Sequence, residues 1–189
     1  MVENIYDEML RDYSDTLEKT SEDSNEQVDS KYMTFCKKTV VNVDKFKDNF
    51  VKNMSLEEVP KSCDALYMTS QNEFFMIEFK NGVIDAKKNY EIKVKIFESL
   101  LMISEKFSKT TDFMRSNMNF ILVYNEDVTH GKEQYENIGV RRVSVPIFKK
   151  AHIPDIRFGL RRFKKLYFKD VFTYSKAEFE SEFVSKYCV

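Results

Sequence analysis

The sequence predicts an α/β fold with a mixed central β-sheet flanked by helices. Two short, aromatic-rich runs, 64–68 and 74–80, are separated by polar residues and have the composition of paired strands. A long segment with helical periodicity begins near Asp85, and the unbroken apolar run 119–124 has the pattern of a strand covered on both faces. Because the helix can serve as a right-handed crossover, we expect 119–124 to lie parallel to one of the first two strands.

The N-terminal segment predicts an amphipathic helix followed by a polar connection. Over residues 3–19, apolar side chains recur every four residues with acids between them: Ile5, Met9, Tyr13 and Leu17. Residues 20–30 are polar and lack periodicity, which indicates a linker or loop. We therefore divide the chain into an acidic N-terminal helix with its linker, 1–30, and a single α/β domain, 31–189.

Several further elements are predicted between residue 39 and the first paired strand and within the long helix. A short strand is expected at 39–43, followed by a short helix that Asp44 caps. The long helix carries two neighbouring apolar rows, so we expect it to pack a wide face against the sheet. The members of the rows are Ala86, Tyr90, Val94, Phe97 and Leu101, and Ile92, Ile96, Leu100, Ile103 and Phe107.

The C-terminal third predicts alternating strands and helices. Residues 141–148 have the pattern of a strand, which Pro146 restricts to a sheet edge. A helical stripe of apolar residues then runs from Ile156 to Tyr167, and 170–174 resembles a strand. Ser175 and Glu178 have the spacing of a capping box, which predicts a final helix to about Lys186.

Composition narrows the class of protein. No apolar run approaches the length of a membrane span, and the N-terminus lacks the pattern of a signal peptide. The three cysteines are widely spaced and fit neither a disulfide framework nor a zinc motif, so we expect a reducing, cytoplasmic location. The chain has 4 glycines and no glycine-rich phosphate loop, which excludes a dinucleotide-binding or Walker motif.

The charge distribution is uneven and favours a polyanionic partner. Residues 1–30 contain ten acids against Arg11 and Lys19, whereas 141–169 contain ten basic residues and one acid. On the predicted helix of this basic region, four side chains form a second stripe that could contact phosphates: Arg157, Arg161, Lys164 and Lys165. The alternative is a solvated helix face. The acidic helix could cover the basic face, bind a protein partner, or be solvated.

Asp64, Glu78 and Lys80 are charged residues within the two paired runs. In a hairpin centred on Gln71, Asp64 lies opposite Glu78, and Lys80 points to the same face. A slip of one residue would separate the carboxylates, and the hydrophobic pattern does not choose between the registers. In the symmetric register two like charges oppose each other, so a divalent cation such as Mg²⁺ or Mn²⁺ between them would stabilise the pair.

This arrangement resembles the PD-(D/E)XK nuclease superfamily. The resemblance consists of Asp64, the later Glu78-Phe79-Lys80, and the order hairpin, helix, strand over about 60–125. It implies a restriction-endonuclease-like core, with Asp64 and Glu78 as ligands of Mg²⁺ or Mn²⁺ and Lys80 as the catalytic lysine. It also implies hydrolysis of nucleic acid, DNA more than RNA, in a bacterial or phage system of DNA processing or defence.

The chain departs from the pattern of the superfamily at several positions. Cys63 replaces the proline that often precedes the aspartate. Glu8 and Glu18 are weak matches to an additional N-terminal glutamate, and Lys93 is a weak match to a helix residue that joins some sites. The simplest alternative is that Asp64, Glu78 and Lys80 are strand-end charges of little energetic consequence. Two functions therefore stay open: a metal-dependent nuclease, and an inactive nuclease fold that binds a protein or nucleic acid.

Overall fold

The chain folds around a six-stranded mixed sheet in the order β1-β2-β3-β4-β5-β6. The structure is a computed structural model that describes residues 2–22, 31–129 and 155–188. The strands are β1 (Ser14–Thr16), β2 (Thr39–Asn42), β3 (Ala65–Met68), β4 (Phe74–Lys80), β5 (Met118–Tyr124) and β6 (Asp170–Ser175). The pairs β1–β2, β2–β3 and β3–β4 are antiparallel, whereas β4–β5 and β5–β6 are parallel. The prediction of a mixed α/β sheet is therefore confirmed.

Helices connect and cover these strands. They are α1 (Val2–Tyr13), α2 (Leu17–Thr20), α3 (Val43–Met54), α4 (Ala86–Phe107), α5 (Thr111–Asn117) and α6 (Glu126–Thr129). The C-terminal helix starts with Lys176–Phe179, continues as a π-helical segment, Glu180–Val184, and ends with Ser185–Tyr187. No helix in the described parts of the chain is both long and apolar enough to cross a membrane.

The β3–β4 hairpin adopts the symmetric register. Leu66 pairs with Met76, and Met68 pairs with Phe74. The Thr69 amide donates to the Glu73 carbonyl at 2.9 Å and closes the turn, in which Asn72 has a positive φ of 61°. This register was one of two that the sequence allowed, and it decides which side chains share a face.

Each face of the sheet has its own hydrophobic core. The even-numbered residues of β4, such as Phe74 and Met76, pack with α1, α3 and α4. The odd-numbered residues, such as Phe75 and Ile77, pack beneath the C-terminal helix. Glu78 belongs to the even-numbered set, so its side chain points toward the α4 face, where a charge needs compensation because it is fully buried.

The N-terminal and α3 predictions need correction. The first helix ends at Tyr13 rather than near residue 19, because residues 14–16 pair with β2 as a strand. The cap of α3 is Asn42, whose side chain accepts a hydrogen bond from the Lys45 amide at 3.0 Å, and not Asp44. Asp44 instead accepts from Ser62 and Lys47.

The wide apolar face predicted for α4 is only half correct. The row that includes Ile92, Ile96 and Ile103 is buried. In the other row, Tyr90 is 69% exposed and Leu101 is 67% exposed. The sheet therefore covers one apolar row of the helix, and the second row lies at the surface.

The helix predicted over 156–167 is replaced by a short 3₁₀ helix, Leu160–Phe163. Phe158 and Gly159 precede it with φ values of 58° and 65°, which no right-handed helix accommodates. The predicted strand at 170–174 and the capping box of Ser175 and Glu178 are confirmed. The strand predicted at 141–148 lies outside the described residues.

Candidate functional site

Asp64 immediately precedes β3, and hydrogen bonds with β4 and α3 fix its position. Its amide donates to the Ile77 carbonyl of β4 at 3.0 Å, and its carbonyl accepts from the Val43 amide of α3 at 3.2 Å. Its carboxylate oxygen Oδ2 accepts from the Phe79 amide at 2.6 Å. The carboxylate is therefore held against the backbone of β4 beside Glu78.

Glu78 is the most buried acidic side chain of this region, and two lysines pair with it. Its side chain is 0% exposed. Lys80 Nζ lies 2.8 Å from Glu78 Oε1, and Lys95 Nζ of α4 lies 2.8 Å from Oε1 and 3.1 Å from Oε2. The two ammonium groups compensate a buried charge that would otherwise be costly.

Lys95 connects the two carboxylates. Its ammonium group lies 3.4 Å from Asp64 Oδ1 in addition to its contacts with Glu78. Asp64 and Glu78 therefore turn toward the same point on the α4 side of the sheet. We refer to Asp64, Glu78, Lys80 and Lys95 as the charged cluster, which holds two negative and two positive side chains when all are ionised.

A buried hydrogen bond positions α4 over the charged cluster. Ser99 Oγ accepts from the Cys63 amide at 2.7 Å, and both residues are 0% exposed. Lys95 precedes Ser99 by one helical turn and so lies on the same face of α4. The residue before Asp64 and the helix that carries Lys95 are thus joined directly.

Burial perturbs the ionisation of the charged cluster. Desolvation, reinforced by the charge of Glu78, raises the pKa of Asp64 to about 7, against the opposing influence of Lys95 and Lys80. Burial alone would lower the pKa of Lys95, but the adjacent carboxylates of Glu78 and Asp64 outweigh it and raise that pKa. A carboxyl whose pKa is raised next to a lysine whose pKa is also raised is a pattern found often at functional sites.

Cys63, the neighbour of Asp64, has no chemical role in this arrangement. The side chain is fully buried, and burial together with the Glu78 charge raises the pKa of its thiol well above the ordinary value. A thiol of this kind is a poor nucleophile at neutral pH. Cys63 therefore precedes Asp64 as a buried packing residue of the core.

The additional ligands considered from the sequence lie elsewhere. Glu8 pairs with Lys106, and Glu18 pairs with Lys37. Lys93 reaches toward Gly159, where a Cβ atom would lie 3.9 Å from its Nζ. The helix contributes Lys95 instead, which the sequence interpretation missed. Its spacing of three from Ile92 and four from Ser99 places it on the buried face, and this was the available signal.

The four predicted phosphate-binding residues do not share one helical face. Arg161 lies in the 3₁₀ helix, Lys164 pairs with Asp170 at 2.8 Å, and Lys165 has a positive φ of 62°. Arg157 differs from these three because its guanidinium group donates to the Tyr124 hydroxyl. Their role in binding nucleic acid stays a prediction.

The charged cluster lacks the ligands of a closed zinc site. Among the residues that the structure describes, no group of three or more His, Cys, Asp or Glu side chains could hold a metal ion. A closed zinc site requires such a set, whereas Mg²⁺ retains several waters and uses one or two carboxylates. Asp64 and Glu78 supply two carboxylates, and Asp64 keeps 16% of its side chain exposed. Two carboxylates are the smallest protein ligand set of a hydrated Mg²⁺ or Mn²⁺, and in this structure the ammonium group of Lys95 lies between them.

Comparison of the chain with protein-family models, with curated proteins and with solved structures gives no match. The geometry of the charged cluster is therefore the basis for inferring a function.

Proposed function

We propose that this chain is a Mg²⁺- or Mn²⁺-dependent nuclease that hydrolyses phosphodiester bonds in nucleic acid, DNA more than RNA. The observation that carries the proposal is the convergence of the Asp64 and Glu78 carboxylates, with Lys80 Nζ 2.8 Å from Glu78 Oε1. The strand order supports it, since the hairpin, the crossover helix α4 and the parallel strand β5 follow the order of the superfamily that the sequence resembles.

Asp64 and Glu78 would hold the ion from two neighbouring strands. When bound, the ion supplies positive charge that activates water and stabilises charge on the phosphate. The Phe79 amide fixes Asp64 through Oδ2, which leaves Oδ1 directed toward Glu78 and Lys95. Positioning of this kind precedes substrate binding, so little reorganisation is needed during the reaction.

Lys80 would act on the reacting phosphate. Its side chain remains 23% exposed, whereas Glu78 beneath it is fully buried. The ammonium group can therefore reach a phosphate oxygen or the attacking water while Glu78 fixes its direction. An ammonium in this position stabilises the negative charge that develops on the phosphate in the transition state.

The second candidate function is a nuclease fold without catalysis that binds a protein or nucleic acid. The observation that favours it is Lys95, whose ammonium group already lies between the two carboxylates. With all four side chains ionised, the charged cluster is neutral without any metal ion, which lowers the cost of its burial. In this case the acidic α1 or the basic C-terminal region would bind the partner.

A nuclease assay with matched variants tests the proposal. The protein is incubated with Mn²⁺ and supercoiled plasmid, single-stranded DNA or RNA, and compared with Lys80→Ala and with Lys87→Ala, which removes an exposed lysine of α4. We expect Lys80→Ala to lose at least about 100-fold in rate, the usual scale for a lost transition-state charge contact, and Lys87→Ala to retain activity. Intact substrates, or equal rates for wild type and Lys80→Ala, would contradict the nuclease.

Calorimetric titration with Mn²⁺, combined with the nuclease assay, separates the two candidates. A nuclease should bind the ion, and Asp64→Ala and Glu78→Ala should abolish that binding. A binding module with a vestigial cluster should take up no ion or should bind it without cleavage. We place either protein in the cytoplasm, because Cys36, Cys63 and Cys188 are all free thiols.

A further inference from the structure

Tyr124 lies next to Lys80 at the end of the sheet. In the parallel pairing of β4 and β5, Lys80 and Tyr124 are register partners, and the Asn125 amide extends the ladder by donating to the Lys80 carbonyl at 3.0 Å. Partner residues on neighbouring strands point to the same face. Tyr124, which is only 1% exposed, therefore stands beside Lys80 of the charged cluster.

Arg157 covers this tyrosine. Its guanidinium group donates to the Tyr124 hydroxyl, and its Cζ lies 5.2 Å from the centre of the Tyr124 ring. Arg157 Nε is 3.7 Å from Asp155 Oδ2, and 25% of the arginine side chain is exposed. Since a guanidinium has five donor hydrogens, its contacts with the described residues use only part of this capacity.

The backbone of Arg157 is fixed as firmly as its side chain. Its amide donates to Thr173 Oγ1 of β6 at 3.0 Å, and the same hydroxyl donates to the Asp155 carbonyl at 2.9 Å. Phe158 packs edge-on against Tyr124, with ring centres 5.4 Å apart. The arginine is therefore held in place by β5 and β6 before any ligand binds, which reduces the entropy lost on binding.

We infer that Arg157, supported by Tyr124, binds the phosphate group that lies next to Lys80. The inference rests on the proposed function, since it names the residue that positions the substrate. A planar guanidinium binds two phosphate oxygens at once, which fixes orientation as well as distance. Lys164, by contrast, already pairs with Asp170.

Binding of a labelled DNA duplex in Ca²⁺, measured at several salt concentrations, tests this role without cleavage. We expect Arg157→Gln to weaken binding about tenfold and to reduce the slope of log affinity against log salt by about 1, as the loss of one phosphate contact requires. Arg162→Gln is the control: it makes the same chemical change at an exposed residue whose guanidinium lies 5.9 Å from the centre of the Phe163 ring. This variant should change neither the affinity for DNA nor the salt slope.

Two more variants distinguish a phosphate contact from a structural role. Arg157→Lys keeps the charge and should preserve the salt slope while weakening binding. Tyr124→Phe keeps the ring and should also leave the slope unchanged. If Arg157→Gln and Arg162→Gln have the same affinity for DNA and the same salt slope, the inference about Arg157 is wrong, even if the wild type cleaves DNA. If the wild type binds DNA without cleaving it in Mn²⁺, the nuclease is wrong, and the slope still decides the role of Arg157.

Discussion

Lys95 contacts Glu78 at two points, with its ammonium nitrogen 2.8 Å and 3.1 Å from the two carboxylate oxygens. The same nitrogen is 3.4 Å from Asp64 Oδ1, so one positive charge lies where both carboxylates converge. A divalent cation that binds Asp64 and Glu78 would need this position. The lysine and the ion therefore compete, and their competition gives the charged cluster a measurable signature.

Replacing Lys95 should strengthen binding of Mn²⁺. In Lys95→Met the stem of the side chain is retained, but the competing charge and its repulsion of the cation are removed. We expect an affinity about tenfold or more above that of the wild type, corresponding to about 1.4 kcal/mol or more, measured by calorimetry. Lys87→Met is the matched control on the exposed side of α4. Unchanged affinity in Lys95→Met would show that the ammonium does not occupy the position of the ion.

The raised pKa of Asp64 predicts that stability decreases as the pH rises. The folded chain holds the proton up to about pH 7, whereas the unfolded carboxyl loses it near its ordinary pKa of about 4. The stabilising contribution is therefore complete below about pH 4 and is lost as the pH increases through about 7. Asp64→Asn cannot lose a proton and should lack this dependence.

Urea unfolding of wild type and Asp64→Asn at pH 5 and pH 8, without metal, measures this effect. We expect the wild type to lose roughly 2 kcal/mol more than Asp64→Asn between these values. Saturating Mn²⁺ should reduce the loss, because the ion favours the ionised carboxylate. Parallel stability curves for the two proteins would mean that Asp64 is already ionised at pH 5.

Ser99 should matter for stability because it satisfies a buried amide. In Ser99→Ala the Cys63 amide loses its acceptor, and an unsatisfied buried group of this kind costs about 1–3 kcal/mol. Ser185→Ala removes a hydroxyl from an exposed position in the C-terminal helix and should have little effect. Chemical unfolding compares the two variants. Equal stabilities would mean that water or a shifted side chain replaces the Ser99 hydroxyl.

The hairpin and its two carboxylates could be predicted because the sequence is symmetric about Gln71. The symmetric register pairs Leu66 with Met76, and the approach of Asp64 to Glu78 follows from it. The sequence did not exclude a slip of one residue, because both faces of β4 are apolar. In the structure, Asp64 forms hydrogen bonds with Ile77 and Phe79 in the symmetric register. A hydrophobic pattern carries no information about such polar contacts.

Lys95 and Tyr124 were missed for a different reason. Rows of apolar residues identify a buried helix face, but they do not point to a lysine on that face. Lys95 lies four residues before the buried Ser99 and is therefore on the same face. The partner of Tyr124 is Arg157, which is 33 residues away in sequence. Such a contact depends on β5 and β6 being neighbours, and local patterns cannot establish that.

The basic helix was predicted wrongly because the conformation of Phe158 was not foreseeable. A positive φ is uncommon in residues other than glycine, and aromatic side chains rarely adopt it. Phe158 and Gly159 together, with φ values of 58° and 65°, form a left-handed turn that ends any helix before Leu160. The apolar spacing from Ile156 to Tyr167 therefore reflects core packing of a segment whose described helical part is only the 3₁₀ helix Leu160–Phe163.

Gly159 should tolerate asparagine better than alanine. Its φ of 65° disfavours a Cβ atom, whereas the space around it is open, since the nearest atom to an added Cβ would be Lys93 Nζ at 3.9 Å. The cost in Gly159→Ala is therefore one of backbone conformation, about 1–2 kcal/mol. Asparagine enters the left-handed region more readily, so Gly159→Asn should lose less stability in urea unfolding.

The same pair of variants tests whether this turn holds Arg157 in place. If the turn fixes the arginine, Gly159→Ala should also weaken binding of the DNA duplex in Ca²⁺, and Gly159→Asn should largely preserve it. The salt slope should stay that of the wild type in both variants, because no charge is removed. Equal stability of the alanine and asparagine variants would show that the chain relaxes to a right-handed conformation at residue 159, and the strain argument would then fail.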